Sequence, residues 1–472
     1  MNKTKLYLHI LEKIKKLETR KDRGWRRLKR NGLFEVLRAS DCILMNAYQA
    51  ASGQPVTELD TEGGDIELGP FLYYMNHPPG KLEILTKLVV AAMEKAEGNK
   101  LPESQFTPET FGAMIELAKK EGIVAKGGQI YGKDKYEQLD PGWIFSLFMF
   151  VIYELGIEDY HAFGDSPQII NVPTDKPTLI AVVGDWGTGK FGKYGGPAVA
   201  VMKGMEKLNP DYVIHLGDVY YAGTDREEKN NLLKLWPGSL GTERSFTLNS
   251  NHEMYDGANG YFAKALKAGG PFSAQRQTSY FALRCGEWLF LGLDSAYYSD
   301  PHKLFMNPNL GGPDGEQASW IKDNFQDQDP SMVVVFSHHT PVNLGGDALN
   351  DPDNPEGLWN EVVTALGNRP PGTWYFGHTH NAAVYTDTSA IGGAGCNGRL
   401  AGHGAIPYGE SVTLQNSLDS GLIDDFPKTH LGPDEIRVRN GFATIEIDAN
   451  GSMTERFYEI ADGETEAQQV WP

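Results

Sequence analysis

Cysteine is scarce in this chain: Cys42, Cys285 and Cys396 are the only three among 472 residues. So small, odd and scattered a set excludes a disulfide framework and a thiolate zinc site, and it fits a reducing compartment. Long apolar runs are missing too. The longest, from Trp143 to Glu154, is too short to span a bilayer and reads as a buried helix. The opening MNKTKLYLHILEKIKKLETRKDRGWRRLKRNG has neither an apolar signal core nor a cleavage site, so a cytoplasmic location without a transmembrane segment is expected. Positive charge is in deficit: 43 Lys and Arg against 62 Asp and Glu leave a net charge of -19, which argues against a long nucleic acid as partner. One further absence sits in GDWGTGKF, residues 184–191. Gly184, Gly189 and Lys190 match the P-loop spacing G-x-x-x-x-G-K-[ST], but Phe191 stands where the magnesium-coordinating hydroxyl belongs. Gly192, Gly195, Gly196 and Pro197 delay the following helix, and Asp185 would repel a phosphate unless a metal stood between them.

Two regions follow from periodicity. Residues 1–163 read as a helical domain with a basic, amphipathic leading helix. The segments FEVLRASDCILMNAYQAA, GKLEILTKLVVAAMEKAEG, TPETFGAMIELAKKEG and DPGWIFSLFMFVIYELG carry its helical spacing. That leading helix packs on its own chain or meets an anionic partner, and the domain as a whole suits a lid, self-association or a protein partner. Residues 164–177, with three prolines, read as a linker. From 178 to 472 short strands alternate with helices: TLIAVVGD, the helix PAVAVMKGMEKL, DYVIHLGD, EWLFLGLD, SMVVVFSHH and TWYFGHTH. A closing hairpin, GFATIEIDANGSMTERFYEI, turns at Ala449-Asn-Gly-Ser.

Five strand ends finish in potential metal ligands: Gly184-Asp185, Gly217-Asp218, Asn251-His252-Glu253, His338-His339 and Gly377-His378-Thr-His380. One Asp after a strand is ordinarily a cap or turn former, and one His ordinarily packs or hydrogen-bonds. Five such ends in one region change the balance. Carboxylate, amide and imidazole donors without thiolates suit divalent or trivalent cations of the zinc, manganese or iron kind.

In order, these motifs resemble the calcineurin-like metallophosphoesterases, whose series runs D-x-[HG], G-D-x-x, G-N-H-[DE], H and G-H-x-H. The likeness covers about residue 176 to the C-terminus. It implies an α+β fold, a four-layer α/β/β/α sandwich beside the N-terminal all-helical domain, with two metals at the sheet edge. By the same resemblance Asp185 and His380 hold one metal, Asn251 and His378 the other, and Asp218 bridges them. His338 completes the second metal, with His339 as the alternative because His339-Thr-Pro341 matches the family's H-x-P. Gly187 replaces the family's usual histidine, and Tyr221 lies three residues after Asp218. That combination is similar to the purple acid phosphatases, so a mixed iron centre is implied if Tyr221 ligates. Ser250 stands where the third motif carries glycine.

The implied activity is hydrolysis of a phosphate monoester or diester by a water that two metals (Fe, Mn or Zn) activate, with a small phosphate ester as substrate. His252 would contact the phosphate and protonate the leaving group. Glu253 and Asp294 are expected to orient ligands, His215 to pack in the core and His403 to border the pocket. A nuclease of the same superfamily is the alternative within chemistry. A catalytically silent binding protein on this fold is the alternative outside it.

Overall fold

In this computed structural model the described residues are Tyr136, Ser146, Met149, Phe150, Tyr153 and 158–472, apart from 193–194, 302–304, 342–356, 386–395, 407–422, 426–437 and 462–463. The helical segments expected before residue 140 lie outside them. The chain divides into two units, and the sandwich described here lies wholly within the one that holds Val124–Asp140, His161–Asp300 and Phe305–Pro472.

Strands occur at Gln168–Asn171 (β1), Thr178–Val183 (β2), Tyr212–His215 (β3), Ser245–Thr247 (β4), Phe281–Cys285 (β5), Trp288–Gly292 (β6) and Val333–Ser337 (β7). They continue with Thr373–Phe376 (β8), Ala382–Tyr385 (β9), Asn397–Ala401 (β10), Ile423–Asp425 (β11), Asn440–Ile447 (β12), Met453–Ile460 (β13) and Gln468–Trp471 (β14). One mixed sheet has the order β1-β5-β6-β7-β8-β10-β9-β11, the other β14-β13-β12-β2-β3-β4. Helices at Pro197–Leu208 (α1), Asp225–Glu227 (α2), Asn251–Tyr255 (α3), Glu316–Phe325 (α4) and Leu358–Ala365 (α5) complete the unit's described α-helices.

Alternation along the strands builds the layers, because successive side chains point to opposite faces. Ile180, Val182, Ile214 and Phe246 of the second sheet meet Phe281, Leu283, Phe290, Val334, Phe336 and Tyr375 of the first in one buried core. The intervening residues of the first sheet, Ala282, Leu289, Leu291, Val333, Val335, Trp374 and Phe376, pack with Ala318, Ile321 and Phe325 of α4 and Leu358 and Val362 of α5. Helix α1 covers the other sheet at close range: a Cβ on Gly204 would meet Ile460 Cδ1 at 2.3 Å. The layers therefore run helix, sheet, sheet, helix, as expected for the fold.

The hairpin forms as its sequence specifies. β12 pairs antiparallel with β13 from Asn440↔Ile460 to Ile447↔Met453. The side chain of Asp448 closes the turn by accepting from the backbone N–H groups of Asn450 and Ser452 at 2.8 and 2.9 Å. The expected linker behaves differently. It contains β1, which pairs parallel with β5 in the register Gln168↔Phe281 to Asn171↔Arg284, so this stretch is the outer strand of the larger sheet.

A candidate metal centre

Strands β2, β3 and β4 are parallel neighbours, as are β6, β7 and β8, so their carboxyl ends gather the motif residues at one edge of the sandwich. The backbone there is unusual. Asp185, Asp218, His378 and His380 have φ of 56°, 77°, 70° and 52°. Non-glycine residues in the left-handed region cost about 1 to 2 kcal/mol each, and such strain concentrates where function demands a particular side-chain direction. Glycines make space for Asp185. A Cβ on Gly377 or Gly402 would come within 2.5 or 2.8 Å of its Oδ2, which instead accepts the backbone N–H of His378 at 2.8 Å.

Two groups of donors face each other across Asp218. In the first, the Tyr220 hydroxyl lies 2.7 Å from Asp218 Oδ2, 3.3 Å from Asp185 Oδ1 and 3.1 Å from His380 Nε2. His380 Nε2 is also 3.4 Å from Asp185 Oδ1. In the second, His338 Nε2 lies 3.0 Å from Asn251 Oδ1, 3.2 Å from His378 Nδ1 and 3.2 Å from Asp218 Oδ1. Each oxygen of Asp218 thus belongs to a different group. Ligand atoms of Asp185, Asp218 and His338 fall within 4.8 Å of one another.

Proton accounting tests whether this set fits a cation. His338 Nδ1 donates to the Leu216 carbonyl at 2.9 Å, which leaves Nε2 with a lone pair in the neutral ring. Burial drives the His338 pKa down to about 4, so the ring is neutral at pH 7. Asn251 donates its amide to Tyr255 at 3.0 Å and turns its carbonyl oxygen toward that same nitrogen. The oxygens of Asn251 and Asp218 thereby converge on that lone pair, a repulsion that a cation held among them would relieve. Asp185 agrees. Burial and the neighbouring Asp218 push Asp185 well above the usual carboxylate range, and a bound cation removes that penalty. The residues fit a metal centre.

Among the residues singled out from sequence, Asp185, Asp218, Asn251, His338, His378 and His380 come together. Between the paired histidines, His338 makes these contacts, whereas His339 Nδ1 meets the Ser295 hydroxyl at 2.9 Å. His339 still stands close, with a nitrogen within 4.8 Å of His338 and His378. The tyrosine expectation needs correcting. Tyr220, not Tyr221, brings its hydroxyl to the carboxylates, while the ring of Tyr221 packs 4.8 Å from that of Tyr136 and its backbone N–H donates to Glu227. A shift of one residue in the loop after β3 decides which ring turns inward.

His252 lies beside the centre, its ring 4.6 Å from Tyr220 and 5.0 Å from Tyr255. Its Nδ1 donates to the Tyr221 carbonyl at 2.6 Å, so in the neutral ring Nε2 is the acceptor nitrogen, and burial lowers its pKa. Glu253 accepts the backbone N–H groups of Asp218 and Val219 at 3.3 and 3.1 Å and so holds the loop that carries Asp218. Burial pushes Glu253 up to about 8. Asp294 organises its own turn through the N–H groups of Ala296 and Tyr297 at 3.0 and 2.9 Å. His215 is buried in β3, 2.9 Å from Thr247 Oγ1, with its pKa lowered to about 3 by burial. His403, expected near a pocket rim, is buried and stacks on Phe457.

These features define a layered α/β sandwich with a buried carboxylate and imidazole cluster at the strand ends. Residues 178–382 match the family described as calcineurin-like phosphoesterase, the family that the motif series of this part of the chain resembles. Among solved structures, PhoD matches with 13% identity over 65% of this chain and 70% of its own, at a TM-score of 0.44. GAP50, the anchor in the inner membrane complex of Plasmodium, matches with 13% identity over 63% of this chain and 89% of its own, at 0.37. The comparison with curated proteins returns no match. No described helix is long and apolar enough to cross a membrane.

Proposed function

We propose that the chain hydrolyses small phosphate esters at a dinuclear metal centre. The convergence of Asp218, Asn251 and His378 on Nε2 of the neutral His338 carries this reading, because a cation held among those atoms would satisfy all of them together. Asp185, Tyr220 and His380 would hold one metal, Asn251, His338 and His378 the other, and Asp218 would serve both. Two such cations, when bound, polarise a phosphoryl oxygen and bring the pKa of a water near neutrality. The chain's own residues do the rest. His338 and His378 are kept neutral by burial, with pKa values lowered to about 4 and about 3, and so remain available as ligands at neutral pH. His252 donates Nδ1–H to the Tyr221 carbonyl, so a ring protonated on Nε2 as well would hand that second proton to the leaving alkoxide. Tyr220 offers a hard phenolate donor, which favours a trivalent ion such as iron on the Asp185 side. The net charge of -19 favours a small ester over a nucleic acid chain.

Elemental analysis beside hydrolysis of an aryl phosphate monoester and the matching diester tests this reading. Two metals per chain are expected, with turnover of one ester lost in Asp218→Asn. A chain that takes up no Mn, Zn or Fe and turns over neither ester would be a binding protein on this fold.

A further inference from the structure

Ser250 caps α3: its φ of -135° and ψ of 177° are extended, and its Oγ accepts the backbone N–H of His252 at 3.0 Å. That same Oγ lies 2.5 Å from Asp218 Oδ1 and also touches Glu253 Oε2. The side chain is fully buried. Space for it comes from Gly217, with φ of 99°, where a Cβ would meet Ser250 Cβ at 2.9 Å. A helix cap needs only the contact to His252, so the contact to Asp218 calls for a separate explanation.

Asp218 can rotate about its last side-chain bond, a broad and weakly hindered torsion. Two contacts fix that torsion. Tyr220 holds Oδ2 at 2.7 Å, and Ser250 holds Oδ1, the oxygen 3.2 Å from His338 Nε2. We infer that Ser250 is a positioning residue: its hydroxyl aims Asp218 Oδ1 at the Asn251, His338 and His378 group and so sets metal affinity on that side. This rests on the reading of Asp218 as a ligand shared by two metals. Partners that orient a ligand are worth about 10- to 100-fold in metal affinity.

The test is a calorimetric titration of the full-length apoprotein with Mn²⁺ and Zn²⁺, run with thermal melts on the wild type, Ser250→Gly, Ser250→Ala and Ser250→Thr. Glycine is itself an accepted cap residue, so Ser250→Gly separates the hydroxyl's hold on Asp218 from capping. One of two sites in Ser250→Gly is expected to weaken about 10- to 100-fold while the melting temperature stays near that of the wild type. Ser250→Thr, which keeps the hydroxyl, is expected to restore the affinity. Wild-type binding at both sites in Ser250→Gly overturns the inference, as does an affinity loss that follows the melting temperature through all three variants without rescue by threonine. A wild-type chain that binds no metal overturns the metal-centre reading itself, and this inference with it.

Discussion

The two groups on either side of Asp218 are built differently. The Asn251, His338 and His378 group is rich in nitrogen, and His338 is wholly inaccessible. The Asp185, Tyr220 and His380 group is rich in oxygen, and each group has one partly exposed histidine: His378 in the first and His380, whose side chain is 13% exposed, in the second. Desolvation lowers the pKa of both imidazoles in the first group, His338 and His378, and keeps them neutral at pH 7. The anionic oxygens of the second suit a harder ion. The two groups would thus prefer different cations.

Breaking the bridge should erase the distinction. Asp218→Asn is expected to empty both positions and bring hydrolysis to background, as read by elemental analysis and an aryl phosphate assay. Next in size is His252→Ala, which should lower kcat by about 10² to 10⁴ with both metals retained. Loss of metal in that variant would recast His252 as a structural residue. Asp185→Asn and His338→Ala separate the groups: each should abolish one metal and leave the other, as read by elemental analysis. Smaller still, Tyr220→Phe should weaken metal on the Asp185 side about tenfold and Tyr221→Phe should not. If the centre holds ferric iron, Tyr220→Phe should also remove its visible absorption band.

His215 touches neither group and should affect stability alone. Its pKa is about 3 when folded and about 6.5 when unfolded, so the unfolded chain binds the extra proton between those values and acid opposes folding. From pH 7 to pH 5 the wild type should lose about 2 kcal/mol relative to His215→Asn, measured by denaturant unfolding of both apoproteins. Equal pH dependence would show that His215 is protonated in the folded state.

How much of this was readable beforehand depended on where the chemistry sits along the chain. Asp185, Asp218, His338 and His378 follow apolar runs that could only be buried strands, so their shared edge was legible from order alone. Helix α1 announced itself through Pro197 and its period. Tyr220 was hidden, because nothing in GDVYYAG says which of two adjacent rings turns toward Asp218. Strands β9, β10 and β11 were missed because they lie in glycine-rich or short, irregular sequence without a clear two-residue period. β1 left no signal either: QIIN between prolines becomes a strand only because Phe281–Cys285 offers a partner far along the chain.

That strand carries a practical consequence. The family match begins at residue 178, and a polypeptide cut there would lack Gln168–Asn171. The backbone of Phe281–Cys285, now paired from Phe281 to Cys285's neighbour Arg284, would face water as an open row of donors and acceptors beside the buried Phe281 and Leu283. Open rims of this kind recruit other chains. Shortened forms starting at residue 178 should therefore sediment as multimers or precipitate, whereas forms starting before residue 164 should stay dispersed.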